Sequence, residues 1–201
     1  MVQGFIVLGI DPDLEALGSV LALQALSALS FVGVAFALGG VEGRTLAAPA
    51  WLGLRRPLRS PWGPAAAAYG IYFACAIAIA LLLSPQQDDV TRELGFGEGR
   101  LAADIAVGLL IVVAAPLGEE VFFRGFMFGG LRRRTPWLVA ALLSGGLWGL
   151  FHLPGGSWGV VLQLSIFGVL LGWLYERTGS IWPGIAVHAV NNALAFAVLA
   201  S

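Results

Sequence analysis

The sequence lacks lysine and is poor in charged residues of both signs. Its eleven basic residues are all arginine, and together with twelve acidic residues they make up 11% of 201 positions. A soluble domain has about a quarter of its residues charged. The near-zero net charge leaves no basic stripe, which argues against a nucleic-acid partner. The single cysteine, Cys75, cannot form an intrachain disulfide.

Hydrophobic residues form 58% of the chain, and the mean hydropathy is +0.86. About 20 apolar residues cross the hydrocarbon core of a bilayer, and backbone groups in lipid must bond within a helix. The sequence therefore predicts an all-α fold, a polytopic membrane bundle of about six transmembrane helices, as a single domain over 1–201. The predicted spans are 17–39, 64–84, 101–118 with continuation to about 131, 137–153, 159–175 and 181–200.

The loops between these spans differ in charge. Arginines occur in loop 40–63, in loop 132–136 and in the turn after residue 175, whereas residues 11–15 and loop 85–100 are acidic. Because arginine-rich loops face the cytoplasm, both termini are predicted to face outward. The use of arginine alone is typical of a GC-rich bacterial genome. The expected location is therefore the inner membrane of a bacterium, in multi-pass form, with the lipid bilayer as a partner.

Charged side chains interrupt the third span at Glu119, Glu120 and Arg124. Each such group costs roughly 2.5–3.5 kcal/mol at the centre of a bilayer helix, so a cluster needs pairing, water or a use. Glu120 and Arg124 are four residues apart and can pair on one helix face, which leaves Glu119 as the carboxylate without a partner. Two other interpretations stay open: a neutral cluster that braces the bundle, and a proton or ion relay of a transporter.

The only two histidines of the chain both lie in predicted spans. His152 shares a helix face with Trp148, and His188 shares a face with Asn192, whereas Asn191 points about 100° away. A carboxylate, two imidazoles, an amide and water are the groups needed to hydrolyse an amide bond without a serine or cysteine nucleophile. The pattern favours a hydrolytic site inside the membrane.

Three motifs in this region resemble those of a known family. Glu119-Glu120-Val-Phe-Phe-Arg124 is similar to the Glu-Glu-x-x-x-Arg motif of the CPBP family, and His188-x-x-x-Asn192 is similar to its His-x-x-x-Asn/Asp motif. Trp148-x-x-x-His152 resembles its Phe-x-x-x-His motif, with tryptophan in place of phenylalanine. That family comprises CAAX prenyl endopeptidases of the Ras-converting-enzyme type and bacteriocin-processing or self-immunity proteins. The matching region is residues 118–192.

The resemblance implies an intramembrane endopeptidase whose helices enclose a polar cavity and whose substrate is a membrane-tethered or transmembrane peptide. Glu119 is implied as the general base, with help from His152, while His188 and Asn192 are implied to stabilise the oxyanion. Glu120 and Arg124 are structural support in this interpretation. The pocket residues are expected to be Phe123 and Trp148.

No cofactor is expected, because the sequence lacks the His-Glu-x-x-His spacing of a zinc helix. The alternative is zinc bound by Glu119, His152 and His188, since three protein ligands and water suffice. The alternative function is a non-proteolytic membrane protein, either a proton-coupled transporter or a bacteriocin self-immunity protein.

Straight helices do not bring these histidines together easily. His152 lies 18 residues after Arg134, about 27 Å along an ideal helix, whereas His188 follows Pro183 by five residues. The two would lie near opposite faces of the membrane. Sunken loops or broken helices are therefore expected, with break points at Gly145-Gly146, Pro154-Gly155-Gly156 or Pro183-Gly184.

Overall fold

The computed structural model describes residues 14–40, 48–87 and 101–199, and these residues form helices joined by short connections. No strand occurs among them; Gln87 and Gly156 form one isolated bridge. The all-α prediction is confirmed. We number the helices in chain order: α1 Leu14–Gly40, α2 Ala48–Trp51, α3 Trp62–Leu83, α4 101–132, α5 Trp137–Phe151, α6 Trp158–Thr178 and α7 Trp182–Leu199.

Four helical segments in the described part of the chain are long and apolar enough to cross a membrane. They are Trp62–Leu83, Asp104–Arg132, Trp137–Gly155 and Trp158–Thr178, and they coincide with the second to fifth predicted spans. The first and sixth predicted spans also form helices, α1 and α7, but neither is among these four. The protein is thus a multi-pass helical membrane protein. The first ten residues and most of loop 85–100 lie outside the described residues.

Helix α4 contains two π-helical segments along its length. Its α-helical parts are Leu101–Leu109, Ala115–Glu119 and Gly129–Arg132, and π-helical turns occupy Leu110–Ala114 and Glu120–Phe128. A π-helical turn interrupts the regular i→i−4 ladder, so carbonyl groups nearby need other partners. Two side chains from other helices supply them.

These two side chains belong to α5 and α7. The Ser144 hydroxyl donates to the carbonyl of Phe123 at 2.6 Å, and Asn192 Nδ2 donates to the carbonyl of Ile111 at 2.9 Å. Both acceptors lie in the π-helical turns, where an unpaired carbonyl facing lipid would cost several kcal/mol. Hydrogen bonds between helices therefore support the unusual winding of α4.

Helices α5 and α6 approach each other closely through glycines. A Cβ atom added to Gly145 would lie 2.5 Å from the Val169 nitrogen, and one added to Gly168 would lie 2.7 Å from Gly145 Cα. Small residues allow helix backbones in membranes to pack in this way, where no hydrophobic effect drives association. The expected break at Gly145-Gly146 is wrong, because α5 is continuous from Trp137 to Phe151.

The turn between α6 and α7 is buried beneath the segment that precedes α3. Leu58 N–H donates to the Thr178 carbonyl at 2.8 Å, and Ile181 N–H donates to the Gly53 carbonyl at 3.1 Å. Ser180 and Ile181 are 0% and 1% exposed. The chain that leads into α7 is therefore buried up to Ile181, whereas Trp182, the first residue of the helix, is exposed.

The structure also bears on the other two expected break points. Pro183-Gly184 does not break a helix but lies in the first turn of α7. At the other end, α5 stops at Phe151 and a 3₁₀ turn follows at Leu153–Gly155. The break expected at Pro154-Gly155-Gly156 is present, and sunken loops stay a prediction.

We predict that Gly145→Ala destabilises the protein by about 1–3 kcal/mol, because the added methyl group must push α6 away from α5. The matched control is Gly146→Ala, one residue along the same helix, where a Cβ atom would meet nothing within 4 Å. There the better helix propensity of alanine makes the change neutral or stabilising. Thermal unfolding in detergent measures both variants. Equal loss of stability in the two would contradict the close contact.

Candidate active site

The predicted site residues converge on a cavity of about 590 Å³. Helices α3 to α7 all contribute to its wall. The sequence-predicted residues that line it are Glu119, Trp148, His152, His188, Asn191 and Asn192. Two acidic side chains of α4 diverge at this point: Glu119 reaches the cavity with 19% of its side chain exposed, and Glu120 is fully buried behind it.

The ion pair expected between Glu120 and Arg124 is present. Arg124 Nη1 lies 2.8 Å from Glu120 Oε1, and the two side chains are 1% and 0% exposed. The guanidinium carbon also lies 4.8 Å from the centroid of the Trp148 ring, in a cation–π contact. Such a pair is desolvated completely, so each charge depends on the other and on its polar neighbours.

The second oxygen of the Glu120 carboxylate faces the first turn of α7. Oε2 has no hydrogen-bond partner among the described residues, and a Cβ atom added to Gly184 would lie 3.1 Å from it. Negative charge near a helix N-terminus is stabilised by the helix dipole. Glycine at residue 184 thus leaves room for the carboxylate beside α7.

His188 connects the two carboxylates. Its Nδ1 lies 3.1 Å from Glu120 Oε1, and its Nε2 lies 3.9 Å from Glu119 Oε2. Because a carboxylate that is paired with a guanidinium accepts hydrogen bonds, Nδ1 is the nitrogen that donates. The ring is 2% exposed and stands edge-on to Trp148 and Phe167, with ring centroids 5.2 and 5.8 Å apart.

Glu119 has a partner that its sequence position did not reveal. The indole Nε1 of Trp148 donates to Glu119 Oε2 at 2.6 Å. The sequence predicted Glu119 as a carboxylate without a partner and Trp148 as an aromatic wall. The structure corrects the first point, because the indole carries a donor that reaches across from α5 to α4, whereas Trp148 does line the cavity.

His152 directly follows the last residue of α5 and is held by a carbonyl group of that helix. Its Nδ1 lies 2.9 Å from the Trp148 carbonyl. A carbonyl oxygen only accepts, so Nδ1 carries the proton and Nε2 is the lone-pair nitrogen of the neutral ring. The imidazole folds back towards Trp148, with ring centroids 5.0 Å apart. Both histidine rings therefore contact the same indole.

Asn192 uses its amide on the neighbouring backbone, where Nδ2 donates to the Ile111 carbonyl. An amide nitrogen has two N–H groups, so one donor remains for another acceptor. Asn191 also lines the cavity, although the sequence placed it on a different helix face. Both amides are thus available to the cavity.

Phe123 does not line the cavity, and its prediction as a pocket residue is wrong. Its ring is 3% exposed and packs against Phe31, Phe122 and Phe151, with centroids 5.7, 5.0 and 6.4 Å apart. These aromatic neighbours hold it in the core behind the site.

Sequence reasoning missed several polar residues in the wall. They are Tyr69 and Tyr72 of α3, Gln87, and Gln163 of α6. Gln163 Nε2 donates to the Tyr72 hydroxyl at 3.2 Å, which joins α6 to α3. A single amide within an apolar span was the signal that could have identified Gln163, since the same signal identified Asn191 and Asn192.

The alternative zinc site is not assembled. Over the described ranges, no three His, Cys, Asp or Glu side chains are grouped so that they could hold a metal ion. The rings of His152 and His188 both contact the Trp148 indole instead of a common ion position. Glu119, His152 and His188 as placed therefore do not fit a three-ligand centre.

Comparison with known proteins supports the family resemblance. Residues 101–194 match the model of a family described as "Type II CAAX prenyl endopeptidase Rce1-like". This range contains all three motifs and the helices α4 to α7 apart from the last residues of α7. The resemblance predicted from the motifs is confirmed. No solved structure gives a significant match.

Three curated bacterial proteins are similar to this chain. "Uncharacterized protein YyaK" of Bacillus subtilis (strain 168) is 29% identical over 185 residues, 82% of this chain and 58% of that protein. "Putative membrane peptidase YdiL" of the same organism is 33% identical over 90 residues, 43% and 36% of the two chains. "UPF0177 protein YxdF" of Lactococcus lactis subsp. lactis (strain IL1403) is 26% identical over 118 residues, 58% and 63% of the two chains. The chain thus spans less than two thirds of each relative's length.

We predict that Glu120→Ala lowers the free energy of unfolding by roughly 3–5 kcal/mol, because it leaves the Arg124 charge buried without its partner. The matched control is Glu176→Ala, which removes an ion pair to Arg132 whose side chains are 29% and 42% exposed. That change costs at most about 1 kcal/mol, as is usual for a pair in contact with solvent. Thermal unfolding of the purified variants measures the difference. Similar losses in the two variants would contradict the role of Glu120.

Proposed function

Because residues 101–194 match the model of the family described as "Type II CAAX prenyl endopeptidase Rce1-like", we propose that this protein is an intramembrane endopeptidase. The reaction is hydrolysis of a peptide bond in a membrane-associated peptide or protein by water that Glu119 and histidine activate. One observation carries the proposal: Glu119, His152, His188 and Asn192, from three different apolar helices, line a single cavity.

Glu119 is the carboxylate suited to act as the general base. Glu120 is fully buried and bound to Arg124, so it has neither access to water nor a free charge. Glu119 accepts a proton from a water molecule while the oxygen of that water bonds to the scissile carbonyl carbon. The proton then passes to the amine as the C–N bond breaks. His152, with Nε2 as its lone-pair nitrogen, is placed on the same cavity wall to share in this transfer.

His188 and Asn192 are suited to stabilise the oxyanion. The Nδ1–H of His188 is directed at Glu120, so Nε2 donates only when the ring carries a second proton. The oxyanion role of His188 therefore belongs to the doubly protonated ring. Asn192 contributes the N–H that it does not use on Ile111. Donors held in place before the reaction stabilise developing negative charge more effectively than mobile ones.

The setting of the cavity supports a membrane-associated substrate. The cavity lies among helices that are apolar enough to span a bilayer, and its wall also contains Phe73, Leu164, Leu194 and Val198. Peptides that are tethered to the membrane or embedded in it can reach such a site. We propose that the protein acts in the inner membrane of a bacterium, since the relatives are bacterial.

We predict that Glu119→Gln abolishes cleavage, with less than a tenth of the wild-type turnover left, because the amide cannot accept a proton from water. The purified protein in liposomes is tested with two fluorescent reporters, a farnesylated CAAX peptide and a transmembrane peptide. Glu176→Gln, which alters an exposed carboxylate, is the control and retains activity.

Two outcomes of this assay would count against the proposal. Turnover above a tenth of wild type in Glu119→Gln would remove Glu119 from the role of base. Failure of wild-type protein to cut either reporter, combined with proton flux across the liposome membrane, would favour the transporter interpretation instead.

We propose that the reaction needs no metal, and we predict that 1,10-phenanthroline and EDTA leave the turnover of wild-type protein unchanged within a factor of two. Added Zn²⁺ is expected to give no stimulation after dialysis against chelator. Loss of activity with chelator and its recovery with Zn²⁺ alone would overturn this part of the mechanism.

A further inference from the structure

Trp148 occupies the centre of the polar cluster. The side chain is 1% exposed, and its ring meets the edges of His152 and His188 at interplanar angles of 72° and 81°. Arg124 lies over the same ring. The residue thus contacts a charged or titratable group of each of the three motif helices, and its one polar atom is aimed at Glu119.

The indole N–H donates a hydrogen bond to one oxygen of the Glu119 carboxylate. The bond from Nε1 to Oε2 is 2.6 Å long, and the nearest histidine nitrogen lies 3.9 Å from the same oxygen. That second distance is beyond hydrogen-bond range. Within the described residues, Trp148 is therefore the side chain that fixes the χ3 torsion of Glu119, which orients the carboxylate.

A fixed carboxylate matters for the reaction because a general base must lie within hydrogen-bond reach of the proton that it removes. With Oε2 bound to the indole, Oε1 is the oxygen that can meet a water molecule in the cavity. Phenylalanine in this position would keep the ring contacts with both histidines but would supply no donor. The carboxylate would then be free to rotate.

We propose that Trp148 is a positioning residue, whose indole N–H orients the Glu119 carboxylate for activation of water. This inference rests on the proposed endopeptidase function. It assigns to the tryptophan a specific hydrogen bond in addition to its packing, and it makes the donor, rather than the ring, the feature on which turnover depends.

The test replaces the donor without changing the shape of the side chain. Trp148 is exchanged for 3-benzothienylalanine, which has sulfur in place of the indole N–H, and a second variant is Trp148→Phe. A hydrogen bond to a charged group corresponds to roughly a ten- to hundredfold effect. We expect kcat to fall by about that factor in both variants, with KM within a factor of two and, for the isostere, an unchanged Tm.

Trp173→Phe is the matched control, because Trp173 is a partly buried tryptophan of α6 that packs against the same core and lies outside the cavity wall. Its kcat is expected to stay within a factor of two of wild type. A benzothienylalanine variant with wild-type kcat would overturn the positioning role, even if Trp148→Phe were slow, since loss of packing alone would then explain the phenylalanine variant.

A second readout separates failure of this inference from failure of the proposed function. The Nε1–H resonance of Trp148, assigned by its loss in Trp148→Phe, is expected to move upfield in Glu119→Ala and to stay in place in Glu176→Ala. An unmoved resonance would overturn the contact itself. If the resonance moves in Glu119→Ala but the wild-type protein cleaves no reporter, the contact stands, and the endopeptidase function and the positioning role are overturned.

Discussion

The buried charge of Glu120 is the constraint on which the rest of the site depends. Its carboxylate accepts from Arg124 on its own helix and from His188 on α7, and its second oxygen lies against the first turn of α7. Ions removed from water in this way are tolerated only when their partners are close and well directed. Helix α7 is therefore held next to α4, with His188 and the first turn of α7 in register with Glu120.

This arrangement gives two adjacent glutamates different environments. Successive residues of a helix point about 100° apart, so a single backbone segment sends Glu120 into the core and Glu119 into the cavity. The buried residue neutralises the guanidinium and fixes one imidazole. Its neighbour keeps contact with the cavity and receives a hydrogen bond from α5. In the proposed mechanism, stability and reactivity thus belong to different carboxylates.

The sequence predicted those parts of the structure that follow from local spacing. Apolar length gave the helices, and the four-residue separation of Glu120 and Arg124 gave their pair. It could not predict contacts that depend on how helices pack, such as the indole bond to Glu119 or the link between Gln163 and Tyr72. The π-helical turns of α4 were missed for the same reason, because side chains of α5 and α7 bind the carbonyls concerned.

The covered turn between α6 and α7 is held by residues that precede the region matched by the family model. Gly53 has φ +75° and lies under the Tyr175 ring, a position that leaves no space for a side chain, and the carbonyl of this glycine accepts the N–H of Ile181. Arg55 donates to the Gly179 carbonyl at 2.8 Å. This floor lies some fifty residues before the region that matches the family model. A side chain added at Gly53 would consequently be felt at the start of the helix that carries His188.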